Sequence, residues 1–245
     1  VAPVSRLALA LVLGLPAVVA AQNPAVAIAV DATAGQRPIN PLVYGVAWAD
    51  QAALADLNCP LNRGGGNTTT RYNWQVNADN RGNDWYYQSV PSGPGVAGEA
   101  SDTFIGATRA AGAQPMVTIP LLGWVARLGA NRSKLCSFSI AKYGPQTGND
   151  WQWFPDAGNG IRTAGGYVTG NDKTDASVLV DSAFQQGWVQ HLVTRWGPAG
   201  SGGLRYYVLD NEPSIWHSTH RDVQPVGVNM DQLRDKIVDH AGRVK

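Results

Sequence analysis

The chain has 245 residues, 44% of them hydrophobic and 15% charged, with 28 Gly and 15 Pro, which excludes a disordered tail, a collagen-like repeat and a multi-pass membrane protein. Nineteen Lys and Arg against eighteen Asp and Glu leave a net charge of +1, so no strong field favours nucleic acid or an anionic membrane, and an uncharged partner is expected. The aromatic set is lopsided toward rings with a polar edge, nine Trp and eight Tyr against four Phe, and only two of the acids are glutamates, Glu99 and Glu212.

At the start of the chain, Arg6 precedes the apolar run Leu7 to Leu15, followed by Pro16 and the small residues Ala17 to Ala21. Residues 1–21 read as a secretory signal cleaved near Ala20 or Ala21, which implies a secreted, extracellular product with no membrane attachment after cleavage. The run is shorter than the roughly 20 apolar residues of a transmembrane anchor. Within residues 22–38, Ala25 to Val30 is expected to form a strand outside the main fold.

From residue 39 onward, short apolar strands alternate with amphipathic helices. Val43 to Ala47 reads as a strand, Asp50 to Leu57 as a short helix, Leu61 to Arg63 as a second strand, and Asp102 to Ala111 as a helix that ends at Gly112. Pro115 to Leu121 is the third strand. Phe184, Trp188, Val189, Leu192, Val193 and Trp196 then share one helical face, and Gly197-Pro198 stops that helix. Leu204 to Asp210 is the fourth strand, and Asn229 caps a last helix with Leu233, Ile237 and Ala241 toward the core.

Four βα units imply an α/β protein with a parallel sheet. The long segments follow the strands, near residues 64–100, 122–180 and 211–228, while returns such as Gly112-Ala113-Gln114 are short. That asymmetry is how a TIM barrel builds its active site, and no Gly-rich phosphate loop follows the first strand to favour an open nucleotide-binding sheet. A complete barrel needs eight units, so these are the first half of one.

Trp188 and Trp196 belong to the third helix and read as core. The other seven, Trp48, Trp74, Trp85, Trp124, Trp151, Trp153 and Trp216, follow strands or lie in post-strand loops. There they offer flat faces for sugar rings, with an indole N–H left to donate; two or three are expected as platforms and the rest as loop core. Glu212, in Asn211-Glu212-Pro213, stands two residues beyond the fourth strand. Glycoside hydrolysis needs one carboxylic acid for the leaving oxygen and a second carboxylate, about 5 to 5.5 Å away in a retaining enzyme. Protonation of the acid requires burial or a negative neighbour, for which Trp216 and Tyr207 are the expected apolar wall. The bland alternative is a loop salt bridge from Glu212 to Arg221.

The stretch Tyr206 to Val223, reading YYVLDNEPSIWHSTHRDV, closely resembles the acid/base region of glycoside hydrolase family 44, secreted bacterial endo-β-1,4-glucanases and xyloglucanases of the retaining (β/α)8 clan. Ile39 to Val46, Asn67 to Trp74, Gly82 to Trp85, Gly123-Trp124-Val125, Ser137-Phe138-Ser139 and Val168 to Asp172 resemble the same family. The resemblance covers residues 39–245 and implies Glu212 as general acid/base, Asn211 as partner of the substrate 2-hydroxyl, and Arg63 and Asn67 beside the nucleophile. The implied substrates are cellulose, carboxymethylcellulose and xyloglucan, bound by a monomer that needs no cofactor. The family usually has an aromatic residue where this chain has Gly64. Its nucleophile, a glutamate near the seventh strand, and most of a small β-sandwich domain, to which residues 22–38 would belong, have no counterpart here, since Glu99 lies just before the second helix. The sequence is therefore expected to be a truncated product, inactive by itself and prone to fold poorly.

Cys59 and Cys136 can pair outside the cytoplasm. Asp150 and Asp156 are candidate ligands of a structural calcium, in turns rich in Gly and Asn. His217 and His220 flank the acid loop and are expected to pack or bond there. A non-catalytic carbohydrate-binding protein and a mannanase or xylanase share enough of these features to stand as alternatives.

Overall fold

The computed structural model describes residues 26–245, and the export signal expected over residues 1–21 lies outside that span. The chain divides into two compact units, Val1–Ile39 and Asn40–Lys245. In the first, the expected strand is absent over residues 26–30, where Val26, Ile28 and Val30 are all exposed. A strand with no neighbour has no ladder to form. A turn follows, held by the Asp31 carboxylate, which accepts from the Thr33 amide at 2.9 Å.

The second unit runs β1 (Gly45–Ala47), α1 (Gln51–Asp56), β2 (Leu61–Gly64), β3 (Ala78–Asn80), β4 (Gln88–Pro91), α2 (Glu99–Ala110), β5 (Gln114–Ile119), β6 (Trp124–Ala126), β7 (Leu135–Cys136), α3 (Ile140–Tyr143), β8 (Asn149–Asp150), β9 (Phe154–Gly158), β10 (Ser177–Leu179), α4 (Ser182–Trp196), β11 (Tyr206–Leu209), α5 (Trp216–Thr219) and α6 (Met230–Val244). Four strands form one parallel sheet in the order β1-β2-β5-β11, each followed by a helix, as the alternation predicts. The first strand starts later than expected because Pro41–Val43 form a 3-10 turn, with Asn40 accepting from the Leu42 amide. The long post-strand segments fold into a second layer of small antiparallel sheets, β3-β4-β7, β6-β10 and β8-β9.

Strand alternation sorts the main sheet into two faces. Asn62 points at α2, where its amide donates to Thr108 at 3.0 Å, and Gly64 also faces α2, where an added Cβ would lie 3.0 Å from Phe104. Arg63, between them, therefore points to the opposite face. The helix side carries the main core, in which Ile105, Val117, Ile119, Trp188, Val189, Leu192 and Leu204 pack together. Full burial of an Ile or Leu such as Ile105 or Leu192 stabilises the fold by about 1.5–3 kcal/mol. Asp102 ties α2 to α4, accepting from Trp196 Nε1 and lying 2.8 Å from His191 Nε2.

Helix ends follow local chemistry. Asp50 caps α1 through the Ala53 amide, Asn229 and Gln232 form a capping box on α6, and Gly112, at φ +79°, takes the left-handed conformation that ends α2. The face of α6 differs from expectation: Leu233 and Ala241 are half-buried and Ile237 is exposed, while His240 is buried. This helix packs on α4 and β11, and a contact on that flank favours the Lys236–His240 edge over the apolar stripe. Among the described residues no helix is long and apolar enough to cross a membrane.

Candidate active site

The chain leaves β11 through two left-handed residues, Asp210 at φ +66° and Glu212 at φ +45°. Such a conformation costs free energy in a non-glycine residue and persists only where surroundings fix it. Asp210 supplies the fixing. Its buried carboxylate accepts from Thr70 Oγ at 2.6 Å, the Asn211 amide at 2.7 Å, the Leu122 amide at 3.1 Å, and also from the Leu121 amide. It thereby staples the carboxyl ends of β5 and β11 to the loop after β2. Burial pushes Asp210 up to about 6, against the four donors that favour its charged form. The left-handed bend brings Asn211 back toward the sheet and turns Glu212 outward.

Arg63, Asn211 and Glu212 form one row. Arg63 Nη2 donates to Asn211 Oδ1 at 2.6 Å, and Asn211 Nδ2 donates to Glu212 Oε2 at 3.0 Å. Arg63 lies over Gly65, where any Cβ would overlap its guanidinium. Glu212 is exposed. Asn67 is half-buried on the loop after β2 and takes no part in the row's hydrogen bonds. Arg221 does not pair with Glu212: its guanidinium stacks on the rings of Tyr87, Phe138 and Tyr167.

The tryptophans divide sharply. Trp48 leaves β1 at φ +55°, is 55% exposed, donates its indole N–H to the Gly65 carbonyl and meets Phe104 edge-on, which places it at the carboxyl end of the sheet on the side of α2. Trp85 is 43% exposed; its N–H is fixed on Asp150 at 3.2 Å and its ring lies 5.9 Å from that of Trp153. Trp151 and Trp153 are exposed as well. Trp216, Trp74 and Trp124, named with the others as candidate platforms, are taken up in packing. Trp216 is fully buried and donates to the Asn211 carbonyl at 2.9 Å, so it supports the acid loop from beneath, neither stacking on a ligand nor walling the Glu212 carboxyl. Trp74 bridges to α4 through the Phe184 carbonyl and ring. Trp124 packs on the Leu121, Leu122 and Trp216 cluster, with the Lys173 ammonium over its ring. A loop segment long enough to fold on itself needs its own core, which Trp124 and Trp216 supply, while Trp74 joins the main core at α4.

Asp150 and Asp156 do not fit a calcium site. Asp150 is spent on Gln88 Nε2, Trp85 Nε1 and the Trp153 amide, and Asp156 on the Ala141 amide. Burial would raise Asp150, but these hydrogen bonds hold it below the usual carboxylate range. Among the described residues no three His, Cys, Asp or Glu converge. Cys59 and Cys136 are free and buried in separate places, Cys59 against the Tyr44 carbonyl and Cys136 against that of Asp156. His220 is buried without a hydrogen bond, and burial, with the Arg71 charge nearby, pushes it down to about 3, so it packs as a neutral ring.

Two features had no local signature. One is Asp210 with its donor Thr70. The other is the fully buried pair of Arg71 and Asp222, 3.1 Å apart, with Ser177 accepting from Arg71 and Ser137 donating to Asp222. Burial would raise Asp222, but the Arg71 charge outweighs it and holds the carboxyl low.

Residues 78–245 match glycoside hydrolase family 44. The fold superposes on a bifunctional glucanase-xylanase from a metagenome library, 68% identical with a TM-score of 0.84, over 85% of this chain and 40% of that one. A xyloglucanase of the family from Paenibacillus polymyxa, solved with xyloglucan, is 25% identical with a TM-score of 0.60, over 85% of this chain and 39% of that one. Endoglucanase A of Paenibacillus lautus is 28% identical over 94% of this chain, and Beta-mannanase/endoglucanase A of Caldicellulosiruptor saccharolyticus 28% identical over 90% of it. The chain spans 32% and 16% of those two proteins, respectively.

Proposed function

The chain belongs to glycoside hydrolase family 44, and from that premise we propose that it forms four of the eight βα units of a TIM-barrel, retaining endo-β-1,4-glucanase. Glu212 is the general acid/base. The observation that carries this reading is the row Arg63–Asn211–Glu212 at the carboxyl ends of two parallel strands, with Glu212 turned outward by a left-handed bend. That end of a barrel's strands is where catalytic groups gather.

In the first step Glu212 protonates the glycosidic oxygen while a second carboxylate attacks the anomeric carbon. In the second it takes a proton from the water that hydrolyses the glycosyl-enzyme. Asn211, oriented by Arg63, donates to the 2-hydroxyl, a contact that strengthens in the transition state. Glu99 starts α2, and the second carboxylate is assigned, by the resemblance to the family, to a glutamate near a seventh strand. The chemistry needs no cofactor. Exposed Trp48 and Trp85 are the sugar platforms in this reading, and with residues 1–21 read as an export signal the enzyme acts outside the cell.

The backbone is a β-1,4-glucan such as cellulose or xyloglucan, supported by the relatives named for glucanase and xyloglucanase activity. Xylan is a second substrate to assay, because the relative at 68% identity is named a glucanase-xylanase. The test is turnover of carboxymethylcellulose, xyloglucan and xylan by the complete protein and by its Glu212→Gln variant. The expected result is glucanase activity in the parent, lowered at least a thousandfold in the variant; equal rates would remove Glu212 from the mechanism.

A further inference from the structure

A second aromatic surface is built around Tyr167 and Arg221. Tyr167, on the hairpin over residues 160–168, is 60% exposed, and one face of its ring rests on the Arg221 guanidinium at 4.5 Å. The same guanidinium sits 4.9 Å from the Tyr87 ring and 4.7 Å from the Phe138 ring, both buried, and donates to the Asn159 carbonyl. Gly160, at φ +69°, lets the hairpin approach this closely: a Cβ there would lie 2.6 Å from Phe138 and 2.7 Å from Arg221. A buried aromatic base, a cation fixed on it and an exposed ring on the cation make a pillar whose top ring is held before any ligand arrives. Such rigidity lowers the ordering cost of binding.

The surface beside Tyr167 is a cavity of about 630 Å³ that Asn83, Asn171, His217 and Arg221 also line. Asn83 shares this cavity with a smaller one of about 300 Å³ under Tyr86, which in turn shares Asp84 and Trp85 with a cavity of about 680 Å³ bordered by Thr68 and Trp153. The three adjoin along the loop layer through these shared residues. At one end lies Thr68, next to Asn67 on the loop that follows Arg63. At the other lies His217, one residue beyond Trp216, the indole that holds the Asn211 carbonyl.

We propose that Tyr167 is a sugar-stacking platform for a distal unit of the glucan chain, with Asn83 and His217 bonding its hydroxyls. The proposal rests on the glucanase reading and extends its site. A pyranose in a β-linked glucan presents C–H faces that match an exposed aromatic ring, and amide and imidazole edges match its hydroxyls. Around Tyr167 itself the lining is mostly neutral, with Asn83, Thr169, Asn171 and Ser218 beside an Arg221 that is turned onto aromatic rings, which suits an uncharged chain.

The test is calorimetric titration of cellohexaose and of xyloglucan oligosaccharide into the complete protein carrying Glu212→Gln, so that the ligand stays intact. Tyr167→Ala, Tyr167→Phe and His217→Ala are added in that background, with thermal midpoints confirming that each is folded. The expected result is affinity lowered about tenfold by Tyr167→Ala, unchanged within twofold by Tyr167→Phe, and lowered less by His217→Ala. Equal affinity in Tyr167→Ala and its parent overturns the platform and leaves the role of Glu212 to its own assay. Absence of glucan binding in the parent overturns both. Should Tyr167→Ala unfold, Tyr167→Leu takes its place, with the same loss expected and retention of affinity counting against the proposal.

Discussion

Arg63 on β2 and Asn211 beyond β11 stand 148 residues apart in sequence and are joined by a 2.6 Å hydrogen bond. The charged donor fixes which edge of the Asn211 amide is the acceptor, and so directs the amide N–H toward Glu212. Hydrogen bonds of this charge-assisted kind are worth about 1.5–3 kcal/mol. In the complete enzyme Arg63→Ala is expected to lower kcat/KM by roughly one to two orders of magnitude, measured on a soluble glucan, with Asn211→Ala at least as severe. A variant within twofold of the parent would show that the pair does not orient the amide.

Gly65 offers an independent way to reach the same arginine. The nearest atoms to a Cβ at this position are those of the Arg63 guanidinium, which it overlaps, while the backbone φ is outside the left-handed region and so admits alanine. Gly65→Ala is expected to act as a partial Arg63 knockout, with activity lowered about tenfold and the thermal midpoint nearly unchanged. The combination with Arg63→Ala should add little, since both remove one interaction.

The pair of Arg71 and Asp222 carries stability. Both side chains are fully buried, so removing one leaves an unpaired charge in the interior. Asp222→Ala is expected to cost about 3–5 kcal/mol, read by denaturant unfolding. Replacing both by apolar residues should cost less than the single change, which a double-mutant cycle measures.

Asp210 gives a pH signature. Its folded value of about 6 lies above the ordinary 3.8, so between these the folded chain holds a proton that the unfolded chain has lost. The stability this group contributes is fully present below about 3.8 and is lost as pH rises through about 6. Comparing thermal midpoints of the parent and Asp210→Asn from pH 4 to 7 isolates it. The parent should lose ground to the variant as pH rises; a pH-independent difference would assign Asp210 no titration in that range.

What the sequence carried, it carried in local pattern. The strands around Val46, Arg63, Val117 and Val208 stand out as apolar runs between turns, and α4 by the spacing of Trp188, Val189 and Leu192. Asn211-Glu212-Pro213 is legible because it directly follows a strand. Local pattern could not say which loop tryptophan faces solvent: Trp48 and Trp216 both follow strands, yet one is 55% exposed and the other fully buried. Nor could it pair Thr70 with Asp210, or Arg71 with Asp222, because such contacts join segments about 140 and 151 residues apart. The face of α6 misled for a related reason: its apolar stripe at Leu233, Ile237 and Ala241 is periodic, but the neighbours that decide burial lie on the edge holding His240.

The central claim is that Glu212 gives a proton to the leaving oxygen, and dependence on the leaving group tests it most directly. In the complete enzyme carrying Glu212→Gln, a glucan chain with its poor leaving group needs that proton, while a dinitrophenyl cellobioside departs without one. The prediction is a loss of about a thousandfold or more on glucan, alongside a rapid burst of dinitrophenolate from the activated glycoside. Absence of that burst, with dinitrophenolate released as slowly as glucan is cleaved, or no loss on glucan, would contradict the assignment of Glu212 as the acid.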